Sequence, residues 1–75
     1  MDLNEFIKHF AEQFDETDLE VFEPTTVFKD LEEWSSLTAL SVIAMVDEEL
    51  EKRITGADIR SSNTIEDLYN ILKER

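Results

Sequence analysis

Apolar side chains recur every three or four positions in several stretches of this chain, the spacing that lines up residues along one face of an α-helix. Asp2, followed by Glu5 three residues later, suits the N-cap of the first such helix. No convincing strand appears in the sequence. The pattern therefore predicts an all-α protein. The first apolar row consists of Leu3, Phe6, Ile7, Phe10 and Phe14.

A second helix is predicted from Ser36 to about Glu51, with the Ser35 hydroxyl as its N-cap. This helix carries two apolar rows, although one row is enough for packing on one face. The shorter row either contacts a partner or packs beneath the preceding loop, and we expect it to be partly exposed near the start of the helix. The core row is Ala39, Val42, Ile43, Val46 and Leu50, and the shorter row is Leu37, Leu40 and Ala44.

Residues 15–34 separate the first two helices and lack a helical period, and Pro24 with the two threonines after it is typical of turns. A loop of this length inside a small domain is normally functional or anchored to the core. We expect Trp34 to bury its ring and hold the end of the loop. The other expected anchors are Val21, Phe22, Phe28 and Leu31.

The last third of the chain predicts two more helices. Thr55 and Asp58 frame the start of a short third helix around Ile59, and Ile54 is expected to lie beneath the bundle. Residues 61–63 supply candidate caps for a last helix. Its apolar row is Ile65, Leu68, Tyr69 and Leu72.

The predicted fold is a small four-helix bundle of three longer helices and one short helix, with a long loop between helices one and two. It forms a single domain over residues 1–75. A domain of this size buries only about 60% of the surface that its unfolded chain exposes, so we expect modest stability. The chain has no cysteine, so it has neither a disulfide nor a thiol of its own.

The net charge restricts the class of partner. The 19 acidic residues (Asp and Glu) and 7 basic residues (Lys and Arg) give a formal charge of −12. This excess repels nucleic acid and anionic membranes and favours partners with basic patches.

The N-terminal residues 1–5 lack the basic and apolar regions of a secretory signal, and no run reaches membrane-spanning length. We therefore expect a cytoplasmic monomer.

The sequence offers few residues of the kinds that carry out catalysis. There is one histidine, His9, and it falls in the polar interval of the first helix, where an exposed surface position is expected. The acidic runs lack the alternating ligands and central glycine of a calcium loop. We therefore expect no catalytic residues, no metal site and no enzymatic activity.

Residues 31–50 carry the informative motif, Leu-Glu-Glu-Trp-Ser-Ser-Leu-Thr-Ala-Leu followed by Ser-Val-Ile-Ala-Met-Val-Asp-Glu-Glu-Leu. The segment resembles the acyl carrier protein family. In that family an Asp-Ser-Leu motif opens the second helix, and a dedicated transferase esterifies the serine with 4′-phosphopantetheine. Ser36 and Leu37 match the Ser-Leu pair, and Trp34 resembles the Trp-Asp-Ser-Leu version of the motif. The resemblance extends from the Phe-rich first helix to the Thr-Ile-Glu-Asp-Leu segment at the start of the last.

The resemblance implies an acyl carrier protein of fatty-acid, lipid or related biosynthesis. Ser36 would carry the covalent 4′-phosphopantetheine arm, whose thiol holds acyl chains as thioesters. The expected partners are a phosphopantetheinyl transferase and acyl-processing enzymes with basic docking patches. The residues expected to bind these partners are Leu37, Leu40, Ala44, Asp47 and Glu48. The alternative is a domain of the same fold that is never modified and serves as an acidic protein-interaction module.

Ser35 departs from the family motif, which usually has Asp at this position. The substitution makes two adjacent serines candidates for the acceptor, and Leu37 favours Ser36. A serine can replace Asp as a helix N-cap, so the fold does not require the carboxylate. Whether the change prevents or redirects modification stays open at the level of sequence.

Overall fold

A computed structural model describes residues 2–75 of the chain. These residues form a compact body of 29 × 23 × 21 Å, and the described part contains no β-strand beyond one isolated bridge. The predicted all-α bundle, with three longer helices, one short helix and a long connection between the first two, is confirmed. The helices are α1 (Leu3–Ala11), α2 (Ser36–Leu50), α3 (Gly56–Ser61) and α4 (Ile65–Lys73).

Aromatic side chains dominate the core. Phe10 is fully buried, and its ring lies 5.4 Å from that of Phe28 and 6.4 Å from that of Trp34, measured between centroids. Such ring pairs add about 0.5–1.5 kcal/mol each to the burial of their area. The aliphatic part of the core comes mainly from α2 and α4, and Ile54 and Ile59 are buried beside them. The fully buried members are Val42, Val46, Ile65, Leu68 and Leu72.

The loop over residues 12–35 is fastened to the body at several points. The rings of Phe22 and Phe28 are buried, and Trp34 packs partly buried against the core, as predicted. Val21 is 41% exposed, so its expected role as an anchor is wrong. It lies in a 3₁₀ turn, Leu19–Val21, whose next residue, Phe22, points inward instead. Farther along, Val27 pairs with Thr64 in the isolated bridge.

Most helix ends follow the predicted caps. The backbone N–H of Glu5 donates to Asp2 Oδ1 over 2.8 Å. α1 ends at Ala11, and Phe14 lies beyond the helix although it is buried. α2 ends at Leu50, and Glu51 takes a left-handed conformation with φ of 54° as its C-cap.

The start of α4 differs from the prediction. Its N-cap is Thr64, in a capping box with Asp67, and not a residue of the 61–63 segment. Ser62 instead closes α3, because its hydroxyl is buried and donates to the Asp58 carbonyl over 2.9 Å. At the start of α3 the predicted Thr55–Asp58 cap is confirmed as a second capping box.

Over residues 2–75, none of the helices combines the length and the apolar character needed to cross a membrane.

Candidate functional site

The two adjacent serines at the start of α2 differ in what they do. The Ser35 hydroxyl accepts from the backbone N–H of Thr38 over 3.3 Å and so caps the helix. Ser36 is the first helical residue and is exposed. Within the described chain, the Ser36 hydroxyl makes no hydrogen bond. One serine is therefore occupied by the fold and the other is free.

A short hydrogen-bond chain fixes the Ser35 hydroxyl. Thr38 Oγ1 donates its proton to the Glu33 carbonyl over 2.7 Å. Because that proton is used, the 3.3 Å contact between the Ser35 and Thr38 hydroxyl oxygens must have Ser35 as its donor. Ser35 thus uses its hydroxyl proton and one lone pair inside the cap.

The residues expected to bind partners share one face of α2. On a helix of 3.6 residues per turn, Ser36 and all five of them fall within an arc of about 120°. The core residues Val42 and Val46 lie outside this arc and are fully buried. The side chains of Leu37 and Leu40 are 76% and 60% exposed, so the second apolar row is not covered by the loop. Ala44, Asp47 and Glu48 are exposed as well.

The charges of α2 oppose its helix dipole. Its last turns carry Asp47, Glu48 and Glu49, with no basic residue in the last turn and no acidic residue in the first. A carboxylate near the C-terminal end of a helix is unfavourable by about 0.3–1 kcal/mol when exposed. Helix stability therefore does not account for this acidic cluster.

Glu33, three residues before Ser36, holds the start of the long loop. Its carboxylate accepts from the backbone N–H of Asp15 over 2.9 Å, from that of Glu16 over 2.8 Å and from Thr17 Oγ1 over 2.5 Å. The Thr17 hydroxyl, and then the two backbone donors, keep the pKa of the Glu33 carboxyl below its usual value. This carboxylate is committed to the fold, so it is not free to serve as part of an acidic docking surface.

An open groove of about 600 Å³ lies between α2 and α3, next to Ser36. Ile59 and Gly56 of α3 form one wall. The other wall comes from α2 and the residues just before it: Trp34, Ser35, Ser36, Ala39, Leu40 and Ile43. Lys29 and Arg60 complete the lining. The groove brings Ser36 and Leu40 together, whereas Ala44 with Glu48 and Asp47 border two other depressions.

Sequence reasoning missed Lys29 and Arg60 as residues of the groove that Ser36 also lines. They are separated by 31 positions, and Lys29 Nζ donates to the Arg60 carbonyl over 2.9 Å. The sequence held one sign of where the Arg60 side chain lies, because Arg60 comes four positions after Gly56, the one glycine of the sequence. That spacing places an arginine side chain over a helix position without a side chain.

Other candidate chemistry does not gather at this site. His9 Nδ1 lies 3.5 Å from Glu12 Oε1 on the surface of α1 and does not line the groove. In the part of the chain that the structure describes, no three His, Asp or Glu residues are grouped so that they could hold a metal ion.

No protein-family model, no curated protein and no solved structure matches this chain. The functional assignment therefore depends on the motif at Ser36 and on the geometry around it.

Proposed function

We propose that this protein is an acyl carrier whose Ser36 hydroxyl bears a 4′-phosphopantetheine arm. The observation that carries the proposal is the contrast between two adjacent serines, because Ser35 is used as the cap and Ser36 is exposed without a hydrogen bond to any described residue. A transferase needs such a free nucleophilic oxygen. The exposed position at the first turn also leaves room for a bulky substituent.

The chemistry of loading balances simply. Ser36 Oγ forms a bond to the phosphorus that bears the pantetheine part of coenzyme A. The phosphoanhydride bond breaks, adenosine bisphosphate leaves, and the hydroxyl proton goes to a base of the transferase. The resulting phosphodiester lies at the N-terminal end of α2, a helix of 15 residues, where free N–H groups and the helix dipole favour negative charge. The arm supplies the thiol that the chain lacks.

The exposed face of α2 gives this function a docking surface. Leu37 and Leu40 offer apolar contact next to Ser36. The acidic cluster farther along the helix gives a negative field that attracts basic partners at salt-dependent rates. Because that cluster weakens α2 itself, a role in recognition explains it better than a role in folding.

Intact-mass measurement tests the proposal. After incubation with coenzyme A, magnesium and a promiscuous phosphopantetheinyl transferase, the wild-type chain is expected to gain the mass of one phosphopantetheine group. Ser36→Ala should show no gain, and Ser35→Ala should still be modified. A gain that survives Ser36→Ala and disappears in Ser35→Ala would move the arm to Ser35.

The second candidate function is an unmodified protein-interaction module, which the exposed apolar and acidic face of α2 would equally serve. An unmodified wild-type chain after treatment with several transferases would favour it. In that case the α2 face, and not the serine, becomes the functional site.

The docking surface has its own test. Asp47→Lys and Glu48→Lys are expected to lower the rate of modification, with a loss that shrinks as salt is raised. Glu74→Lys, the same charge reversal at an exposed residue after α4, is the matched control. Equal rates for all three variants would remove Asp47 and Glu48 from the docking surface.

A further inference from the structure

Positive charge gathers at one end of the exposed α2 face. Lys29 and Arg60 line the groove that Ser36 also lines, and within residues 2–75 no carboxylate-bearing residue lines it. Lys29 Nζ donates to the Arg60 backbone carbonyl over 2.9 Å, which keeps the two residues together. This basic end of the face is an exception in a chain whose formal charge is −12.

The fold leaves both of these positive charges uncompensated. In the part of the chain that the structure describes, the ion pairs within 4.0 Å join His9 to Glu12 and Arg75 to Asp58. Neither pair includes a cation of the groove. The two charges are therefore available to an acidic group from outside the chain.

Negative charge gathers at the other end of the same face. Residues 47–53 contain four acidic and two basic residues, and Asp47, Glu48 and Glu49 are exposed. Arg53 borders the same depression as Asp47, but the carboxylates outnumber the cations at this acidic end.

The distance between the basic and acidic ends lets a partner sense them separately. A helix rises about 1.5 Å per residue, so Glu48 lies about 18 Å beyond Ser36 along α2. The Debye length at physiological salt is about 8 Å, which is shorter than this separation. The exposed side chains of Leu37 and Leu40 lie between the two ends and offer apolar contact.

We propose that the α2 face docks a partner protein of matching polarity, which places a carboxylate side chain in the groove against Lys29 and Arg60 and a basic patch over the acidic end. The inference rests on the proposed function, since that partner is an enzyme acting on the group at Ser36. A partner that is basic throughout would bring like charges together at the groove. Two opposite contacts so far apart also fix the direction in which the partner lies along α2.

The net charge of the chain decides which kind of partner fits. A face with opposite charges at its two ends is complementary to a second copy of itself. Pairing two copies would, however, bring together two bodies that each carry a formal charge of −12. This repulsion favours a different protein as the occupant of the face.

The test measures the binding of two helical peptides to the Ser36→Ala chain, which stays unmodified. Both peptides have about 18 residues, enough to span about 27 Å, and the same content of glutamate, leucine and lysine. The segregated peptide carries its glutamates at one end and its lysines at the other, whereas the alternating peptide mixes them. Lys29 is half-buried and Arg60 is exposed, so solvent screens each contact. Together the two contacts should make the segregated peptide bind about fivefold more tightly.

Spin labels on the segregated peptide report its direction. A nitroxide at the glutamate end should broaden the amide resonances of Gly56 and Ile59, which line the groove. A nitroxide at the lysine end should broaden those of Asp47 and Glu48 instead.

A pair of double variants separates the groove cations from the overall charge. Lys29→Gln with Arg60→Gln should remove the preference for the segregated peptide and the broadening at Gly56. Lys8→Gln with Lys73→Gln removes the same charge at exposed positions outside the groove and should leave both results intact.

Several results would overturn the inference. Equal affinity for the two peptides, or unbroadened Gly56 and Ile59 resonances with the label at the glutamate end, would show that the groove does not take a carboxylate. Equal losses in the two double variants would show that only the net charge matters. A dimer of the chain alone, seen by sedimentation and dissociated by Lys29→Gln with Arg60→Gln, would assign the face to a second copy.

The peptide test is independent of loading, because it needs no arm. A chain that no transferase modifies would remove the acyl carrier function, while a preference for the segregated peptide would still support the docking surface.

Discussion

Replacing Ser35 or Ser36 with alanine should separate a structural serine from a chemical one. Ser35→Ala removes the hydrogen bond that caps α2, and loss of an N-cap costs about 0.5–2 kcal/mol. The bond from the Thr38 N–H is long, at 3.3 Å, so we expect the lower part of that range, about 0.5–1 kcal/mol. Ser36→Ala removes no hydrogen bond to the described residues and places a good helix former in the first turn.

The difference is large enough to measure by thermal unfolding followed with circular dichroism. For a domain of 60–100 residues, 1 kcal/mol corresponds to about 4–8 °C. Ser35→Ala should therefore lower the melting temperature by roughly 2–8 °C, and Ser36→Ala should leave it unchanged or slightly raised. Ser35→Asp is the matched control, since Asp caps as well as Ser and its charge suits the dipole. Equal melting temperatures for the two alanine variants, or a larger loss for Ser36→Ala, would refute the division of roles.

Three further outcomes are expected. Gly56→Ala should raise the free energy of unfolding, measured in urea, by about 0.4–1 kcal/mol. Gly56 has no positive φ, and the exposed Arg60 side chain can move away from the added methyl group. A loss of stability would show that the guanidinium group cannot move. The backbone N–H groups of Thr64 and Asn63 lower the pKa of Asp67, so its stabilising effect is present above its usual pKa and is lost as the pH falls through the lowered value. The difference in unfolding free energy between wild type and Asp67→Asn should therefore be constant at neutral pH and narrow as the pH falls below about 5. A difference that does not change with pH would contradict this. The melting temperature should rise between about 20 mM and about 500 mM sodium chloride, because salt screens the repulsion within a chain of charge −12. A melting temperature that does not change with salt would show that this repulsion is negligible.

Local signals allowed the helices to be predicted from the sequence. The period of the apolar residues and the side chains of Asp2, Ser35 and Thr55 act within one or two turns, so they can be read along the chain. The start of α4 was misplaced because several cap-forming residues occur in a row. Thr64 caps α4 because it forms a capping box with Asp67, whereas Ser62 is buried at the end of α3.

The site could be predicted only in part. The exposed face of α2 follows from the helix period, because the positions opposite the core row point away from the bundle. The period does not account for Met45, which lies outside the predicted core row and is buried. The groove depends on how α3 packs against α2, and the joint placement of Lys29 and Arg60 depends on contacts between distant segments. The role of Glu33 also depends on distant segments, since its hydrogen-bond donors lie 16 to 18 positions away in the sequence. Nothing in the local pattern distinguishes it from Glu32.

The carboxylate of Glu33 also bears on how far the proposed arm on Ser36 could reach. It ties the chain just before α2 to Asp15 and Glu16, near the start of the long loop. Ser36 therefore follows a segment that is fixed at two points, by the Ser35 cap and by the hydrogen bonds of Glu33. The reach of the proposed arm on Ser36 would accordingly be set mainly by the length of the arm itself.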